Sequence, residues 1–245
     1  MDDAASQMRR FWDQRACENA AWYVDTSCDY DNPDMSAFFA AGRKIVAEAF
    51  VDAPVQPIRR ALAVEIGPGL GRICAALAEH FDRVIGIDVS AEMVERAKAL
   101  VPDARICFEV GNGTALRPLE SGAADLVMTF TVLQHLPSPA LIEGYLRDAA
   151  RVLAPGGVLA AQWNNLPHPR LWRARAVWWR LRHRIGGPLK LDPRVERPFV
   201  GTRLPLAVVE RTLEDGGMSI KATKGLGTLF AWVWAEKEPS PEITI

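Results

Sequence analysis

The sequence predicts an α/β protein built on a mostly parallel β-sheet with helices on both faces. From residue 61 onwards, short β-branched runs alternate with alanine-rich stretches of helical periodicity, the order expected of parallel strands joined by helices. The glycine-rich loop GPGLG at 67–71 directly follows the first apolar run. The chain has 245 residues, of which 49% are hydrophobic and 24% charged, and this predicts one α/β domain with additions.

The elements are predicted in chain order from apolar periodicity and from turn and cap residues. An amphipathic helix at 4–17, a loop at 18–34 and a second helix at 36–51 precede the sheet. Strands are expected at 61–66, 83–88, 104–110, 124–130 and 158–163, and helices at 70–81, 90–100 (with Ser90 as the N-cap) and 138–153. A helix at 204–216 and an antiparallel hairpin over 218–225 and 227–237 would complete the sheet.

Composition excludes several classes of protein. The net charge of -1 argues against a polycation that seeks nucleic acid. The four cysteines show no CxxC pair and no histidine at metal-ligand spacing, so reduced thiols and no metal site are expected. The N-terminal stretch lacks the apolar core of a signal peptide, and no run approaches the ~20 apolar residues of a membrane span. A cytoplasmic location is therefore expected.

The loop after the first strand favours a ligand with a ribose and an amino group but no phosphate. Gly67 and Gly69 fit the dinucleotide fingerprint GxGxxG, yet Arg72 stands where its last glycine would be. Glu65 would repel a pyrophosphate but attract an ammonium group. Asp88, at the end of the second strand, is placed to accept both ribose hydroxyls. S-adenosylmethionine (SAM) carries both groups.

Four stretches then resemble, in order and spacing, the motifs of class I SAM-dependent methyltransferases of the small-molecule type. They are VEIGPGLGR, VIGIDVSAEMV, EVGNGTALRPLESGAADLVMTFTVLQHL and RVLAPGGVLAAQWN. The resemblance implies a Rossmann-like seven-stranded sheet and SAM as cofactor, with S-adenosylhomocysteine (SAH) as product. It divides the chain into a helical cap (1–60), a SAM-binding core (61–165), a basic Trp/Arg-rich lid insertion (166–203) and a C-terminal helix and hairpin (204–245).

The resemblance also implies roles for individual residues. The glycines of the loop would approach the methionine part of SAM, Glu65 its amino group and Asp88 its ribose. Val89 and Met93 would flank adenine. The third motif, Gly111-Asn112-Gly113, has Asn112 where the family usually has an acidic residue, and the side-chain oxygen of Asn112 can still accept a hydrogen bond from the adenine amino group. The cofactor residues are thus Glu65, Gly67, Gly69, Gly71, Asp88, Val89, Met93, Asn112, Gly113, and, facing the sulfonium at the end of the fourth strand, Thr129, Phe130 and Thr131.

A catalytic base is needed only if the nucleophile must lose a proton, because the methyl group of SAM is already activated. His135, in VLQHL, is the leading candidate. The alternative is that this histidine orders the loop and packs near the cofactor.

Two additions to the core are expected to choose the substrate. Phe11, Trp12, Trp22 and Tyr23 either wall the pocket or pack the first helix onto the sheet. Residues 166–200 carry a net charge of +7, against -8 for the rest of the chain. Their predicted helix at 169–185 has three possible interpretations: a lid over the pocket, an interfacial helix on an anionic membrane, or a contact for an anionic partner.

The predicted function is methyl transfer from SAM to an O, N or C centre of a small, partly apolar metabolite, as in secondary metabolism. Nucleic acid is an unlikely substrate, because TFTV replaces the DPPY-type tetrapeptide after the fourth strand. Three alternatives are a membrane-associated methyltransferase of a lipid or quinone-like substrate, a NAD-dependent oxidoreductase, and a catalytically silent SAM-binding partner protein. The sequence predicts neither the oligomeric state nor the identity of the substrate.

Overall fold

One seven-stranded sheet with helices on both faces organises the chain in a computed structural model, which describes residues 4–167 and 201–239. The strands are β1 (Leu62–Ile66), β2 (Arg83–Asp88), β3 (Ile106–Val110), β4 (Ala124–Thr129), β5 (Leu153–Trp163), β6 (Met218–Lys224) and β7 (Ala231–Lys237). The helices are α1 (Ala4–Val24), α2 (Met35–Val46), α3 (Arg72–Leu77), α4 (Ala91–Leu100), α5 (Pro139–Val152) and α6 (Leu206–Asp215).

The strand order is β3-β2-β1-β4-β5-β7-β6, and the predicted architecture is confirmed. The first five strands are mutually parallel, whereas β7 is antiparallel to both β5 and β6. The chain leaves β1 toward β2 on one side and returns to β4 on the other. The order therefore reverses between β1 and β4, where sheets of this kind form a ligand crevice at the carboxyl ends of their strands.

The central strands are apolar because both of their faces are covered. All six residues of β4 are buried, and so are four of the five in β1. Val64 and Ile66 pack in the core on the side of α5, whereas Ala63 belongs to the core on the side of α3. This pattern is typical of an internal parallel strand and explains why the apolar runs were recognisable in the sequence.

The predicted loop at 18–34 is wrong for its first part, because α1 continues to Val24. The helical backbone breaks at Asn19 (φ -166°, ψ 82°), and the side-chain oxygen of Asn19 accepts a hydrogen bond from the amide of Trp22 at 3.1 Å. Asn19 thus caps a second stretch of helix. That stretch buries Ala20, Ala21 and Tyr23, so tertiary packing compensates for its weak helical pattern.

Other element boundaries differ by a few residues. The second helix begins at Met35 behind Asp34, its N-cap, and ends in a single π-helical turn over Ala47–Val51. The predicted helix at 70–81 is shorter, because Gly71 has a left-handed backbone (φ 82°) and the regular helix covers only α3. These shifts leave the predicted order of elements unchanged.

The basic segment lies almost entirely outside the described residues, and so do its predicted helix at 169–185 and the three interpretations of that helix. Its flanks are described. The side-chain nitrogen of Asn164 donates to the carbonyl of Gly201 at 3.3 Å, and the amide of Thr202 donates to the carbonyl of Gln134 at 2.7 Å. Both flanks thus lie at the carboxyl edge of the sheet. Within 4–167 and 201–239, no helix is both long and apolar enough to cross a bilayer.

Candidate active site

A cavity of about 530 Å³ lies at the carboxyl edge of the sheet, beneath α1 and the turn that follows it. Its walls come from the loops after β1, β2 and β4, from α1 and α5, and from the β6–β7 loop. Of the predicted site residues, those that line it are Trp12, Tyr23, Glu65, Gly67, Gly69, Asp88, Val89, Met93, Phe130, Thr131 and His135.

The glycine loop is shaped by two different steric demands. Gly67 has φ 68°, and a Cβ added there would overlap the side chain of Val132, so only glycine fits against the cavity wall. Gly71 has φ 82°, and a Cβ there would come within 2.6 Å of the Phe108 ring on β3. Gly67 and Gly69 line the cavity. Gly71 allows the loop to pack on the sheet and does not itself line the cavity.

The carboxylate of Asp88 is oriented by the backbone around it. One oxygen accepts from the amide of Gly69 at 3.1 Å and the other from the amide of Ser90 at 2.9 Å. Burial nevertheless raises the pKa of Asp88 above its usual value of 3.8. Each oxygen can accept a further hydrogen bond, which matches the two adjacent hydroxyls of a ribose.

Glu65 is buried at the end of β1, and its Oε2 has no hydrogen-bond partner among the described residues. Burial raises the pKa of this carboxyl to about 7, although the thiol of Cys74 and the charge of Arg72 oppose the rise. A buried carboxylate oxygen without a donor is costly, and an ammonium group would satisfy it. The arrangement fits the amino group of SAM.

The N-terminal segment is fastened over the cavity by a buried ion pair. Arg72, at the start of α3, pairs with Asp25, just beyond the end of α1, and both side chains are at least four-fifths buried. The guanidinium of Arg72 also lies over the ring of Phe38, 4.9 Å from its centroid. The residue that replaces the last glycine of the dinucleotide fingerprint thus ties the cap to the glycine loop.

Two further polar contacts hold α1 against the ends of β2 and β3. Arg9 donates to the carbonyls of Val89 and Gly111 at 3.2 and 3.0 Å. Asp13 accepts from the hydroxyl of Ser90 at 2.6 Å. Because the backbone amide of Ser90 also donates to Asp88, the cap is connected to the ribose site through this one residue.

The aromatic residues of α1 divide between the cavity and the packing of the helix. Trp12 and Tyr23 line the cavity. The hydroxyl of Tyr23 donates to Glu18 at 3.0 Å, and burial together with this bond raises its pKa to about 12. Phe11 packs on Trp12, and Trp22 on Tyr23, in edge-on contacts at 5.4 and 5.0 Å. Phe11 and Trp22 are outside the lining, which agrees with the packing alternative.

The third motif, Gly111-Asn112-Gly113, is held by hydrogen bonds within its own loop. The side-chain oxygen of Asn112 accepts from both the amide and the hydroxyl of Thr114 and from the amide of Ala115, at 2.9 to 3.1 Å. Neither Asn112 nor Gly113 lines the cavity, and a Cβ at Gly113 would meet the side chains of Val89, Ala5 and Met8. The contact between Asn112 and adenine stays a prediction, and it requires an oxygen that already accepts three hydrogen bonds.

The end of β4 carries backbone strain. Thr131 has φ 54°, a left-handed conformation that costs free energy for a residue other than glycine. Its amide donates to the side-chain oxygen of the buried Gln162 at 2.7 Å, and the nitrogen of Gln162 donates to the carbonyl of Leu229 at 2.7 Å. Phe130 and Thr131 therefore line the cavity in fixed positions, whereas Thr129 is buried beside them and lies outside the lining.

His135 closes a 3₁₀ turn over Leu133–His135 and lines the cavity. Its ring contacts the ring of Trp12 edge-on, with centroids 5.6 Å apart. The side-chain nitrogen of Gln134 lies 3.3 Å from Nε2 of His135. An amide nitrogen donates, so Nε2 accepts this bond in the tautomer that carries its proton on Nδ1.

Sequence reasoning missed several lining residues, among them Arg72, Gln134, Tyr145 and Phe230. Arg72 and Gln134 are adjacent to motif residues, so their positions near the site were recoverable. Tyr145 is an apolar-face residue of α5, and Phe230 belongs to a hairpin loop at the far end of the chain. Nothing in the sequence distinguishes these two from ordinary packing residues.

Comparison with known proteins gives the same class. A family model described as a methyltransferase domain matches residues 64–161. The chain is 36% identical to trans-aconitate 2-methyltransferase of Methylobacterium radiotolerans over 64% of this chain and 59% of that protein. It is 35% identical to trans-aconitate 2-methyltransferase of Azoarcus sp., over 68% of each chain.

A solved structure with the same fold is magnesium protoporphyrin IX methyltransferase of Synechocystis PCC 6803 with bound SAH. It superimposes with a TM-score of 0.62 at 17% identity, covering 95% of this chain and 99% of that chain. The protein has the fold of the class I methyltransferases. The chain belongs to the SAM-dependent methyltransferase family, and it spans about three fifths of the length of the Methylobacterium relative.

Proposed function

We propose that the protein transfers the methyl group of SAM to an O, N or C centre of a small, partly apolar metabolite. The observation that carries the proposal is the shared cavity, in which a ribose-type carboxylate (Asp88) and an unpartnered buried carboxylate (Glu65) meet an apolar and aromatic wall with one histidine. A cofactor half and an acceptor half in one cavity suit a two-substrate transfer, in which orientation supplies much of the rate.

In the cofactor half, the chain's own groups hold and orient the methyl donor. Asp88 accepts from the ribose hydroxyls, Glu65 from the ammonium group, and the glycine loop lets the backbone approach the methionine part. Bound SAM supplies a sulfonium-activated methyl group, whose C–S bond breaks as the bond to the acceptor forms. The strained end of β4 keeps Phe130 and Thr131 beside that centre.

In the acceptor half, His135 is the group that can take a proton from the nucleophile. In the tautomer protonated on Nδ1, the lone pair on Nε2 accepts from Gln134, and the edge-on contact with Trp12 also holds the ring in place. A hydroxyl or amino acceptor that displaces the hydrogen bond from Gln134 would pass its proton to this nitrogen, from which the proton would leave to solvent. With an acceptor that is already deprotonated, His135 would only shape the pocket.

The first test is calorimetric titration with SAM and with SAH, using NADH as the control ligand. We expect binding of both adenosyl ligands and no binding of NADH. Asp88→Ala should abolish SAM binding. Asp88→Asn is the milder partner variant, because one amide oxygen can still accept from a backbone amide, and it should weaken SAM binding without unfolding the chain. Normal SAM affinity in both variants would refute the assignment of the ribose site.

Turnover is tested separately with labelled SAM and pools of metabolites. Label transfer that His135→Ala reduces more in kcat than in KM would support proton transfer at His135. SAM binding with no transfer to any pool would favour the silent SAM-binding protein, whereas NADH binding without SAM binding would favour the oxidoreductase. These outcomes separate the proposed reaction from both rivals.

A further inference from the structure

The acceptor half of the cavity differs in charge from the cofactor half. The lining residues after β4 and in the β6–β7 loop are Phe130, Thr131, Val132, Gln134, His135, Leu136 and Phe230, and none of them is Asp, Glu, Lys or Arg. The charged lining residues lie instead just after α1 (Asp25), at the ends of β1 and β2 (Glu65 and Asp88) and at the start of α3 (Arg72), and Arg72 is paired with Asp25. The described acceptor half therefore offers no free cation to an anionic substrate.

Aromatic rings give this half a flat apolar wall. The ring of Phe130 stacks on Trp232 with centroids 5.7 Å apart and planes 18° from parallel, and Trp232 stacks in turn on Trp234 at 5.7 Å and 15°. The indole of Trp234 is anchored by a 2.8 Å hydrogen bond to the carbonyl of Ala49. Phe230 lines the same cavity and is 52% exposed. Such walls favour a planar aromatic guest.

Gln134 is one of three polar residues in this half, with Thr131 and His135. Its Oε1 is buried and has no hydrogen-bond partner among residues 4–167 and 201–239. Its nitrogen is held by His135, and its carbonyl accepts from the amide of Thr202 at 2.7 Å, so the residue is fixed at both ends. A buried acceptor left unpaired costs free energy that a ligand donor would recover. An ionised carboxylate brings only acceptors and would leave Oε1 unpaired.

We infer that Gln134 determines the specificity of the reaction by selecting an uncharged aromatic acceptor whose hydroxyl or amino group donates to Gln134 Oε1. The inference rests on the proposed methyl transfer and deepens it. It separates this chain from its relatives named for trans-aconitate, which is a polycarboxylate. The same hydrogen bond would place the acceptor's heteroatom close to His135, because Nε2 of that ring lies 3.3 Å from the side-chain nitrogen of Gln134.

The test measures binding to the protein saturated with SAH, by calorimetry, for naphthol, for naphthoate substituted at the same ring position, and for trans-aconitate. We expect naphthol to bind most tightly. Gln134→Leu, which is close in size and lacks the amide, should weaken naphthol about 2- to 10-fold, the usual worth of one neutral hydrogen bond, and should leave naphthoate unchanged. Gln134→Glu keeps an acceptor oxygen, so it should retain naphthol and bind naphthoate less well.

Four results would overturn the inference. In the wild type, these are naphthoate or trans-aconitate binding as tightly as naphthol, and no binding of naphthol at millimolar concentration. In the variants, they are an unchanged preference of Gln134→Leu for naphthol over naphthoate, and loss of naphthol binding in Gln134→Glu while the affinity for SAH is intact. SAH affinity in each variant reports whether the cofactor half is intact. If Gln134→Leu fails to fold, the wild-type panel and Gln134→Glu still decide. Failure of the wild type to bind SAH would count instead against the proposed function.

Discussion

Glu65 should make the affinity for SAM depend on pH near neutrality. Burial raises the pKa of its carboxyl from 4.5 to about 7 in the unliganded protein, whereas the ammonium group of the ligand binds the ionised form. With a pKa of about 7, roughly one tenth of the carboxyl is ionised at about pH 6 and nine tenths at about pH 8. Apparent affinity scales with the competent fraction, so it should rise about tenfold across this range.

Calorimetric titration with SAH at several pH values measures this slope, and Glu65→Gln is the matched control. The variant keeps the size of the side chain and cannot ionise, so any remaining slope belongs to the ligand or to other groups. A wild-type slope no steeper than that of Glu65→Gln would refute the reasoning.

The stability of the unliganded protein gives an independent readout of the same group. The folded pKa of Glu65 lies above its unfolded value, so the free energy of unfolding should fall as pH rises from about 4.5 to about 7, by roughly 3 kcal/mol. Glu65→Gln should lack this loss and be more stable than the wild type at about pH 8. Urea unfolding without ligand measures the difference, and equal stability there would mean that Glu65 is not desolvated.

Two further predictions concern the cap and the glycine loop. Asp25→Asn leaves Arg72 buried without its anion and should lower the free energy of unfolding by about 2–3 kcal/mol, measured in urea, near the low end for buried pairs because Asp25 is 18% exposed. Although burial alone would raise the pKa of Asp25, hydrogen bonds from Ser27 and Arg72 lower it. The stabilisation by the ion pair should therefore be present above about pH 4 and lost as the pH falls further. If the free energy of unfolding of the wild type and of Asp25→Asn falls equally in acid, the reasoning is contradicted. In Gly67→Ala the added methyl group stands on a left-handed backbone and overlaps Val132, so the variant should lose about 1–3 kcal/mol of stability and should not bind SAH. Calorimetry with SAH and thermal unfolding measure both effects. If the variant binds SAH and unfolds like the wild type, the loop is not as tight as described.

Local patterns in the sequence were sufficient for much of the fold. The runs around Val64 and Val127 are apolar on both faces, so they indicated internal parallel strands without reference to any neighbour. Ser90 was recognisable as an N-cap because capping depends on the adjacent backbone, and its side chain accepts from the amide of Met93. The N-terminal region was harder to predict, because the helix beyond Asn19 is stabilised by packing on distant parts of the chain.

The sequence by itself determined the class of protein, because the glycine loop, Glu65 and Asp88 are close in the chain and their chemistry follows from strand ends at known spacing. Only the tertiary structure decided what surrounds that loop. Phe130 and Phe230 are 100 positions apart and line one cavity, and Arg72 pairs with Asp25 of the cap, so both arrangements depend on tertiary structure rather than on local pattern. Likewise, Oε1 of Gln134 lacks a partner among the described residues because folding buries it, and the sequence alone does not show which buried polar atoms lack a hydrogen bond.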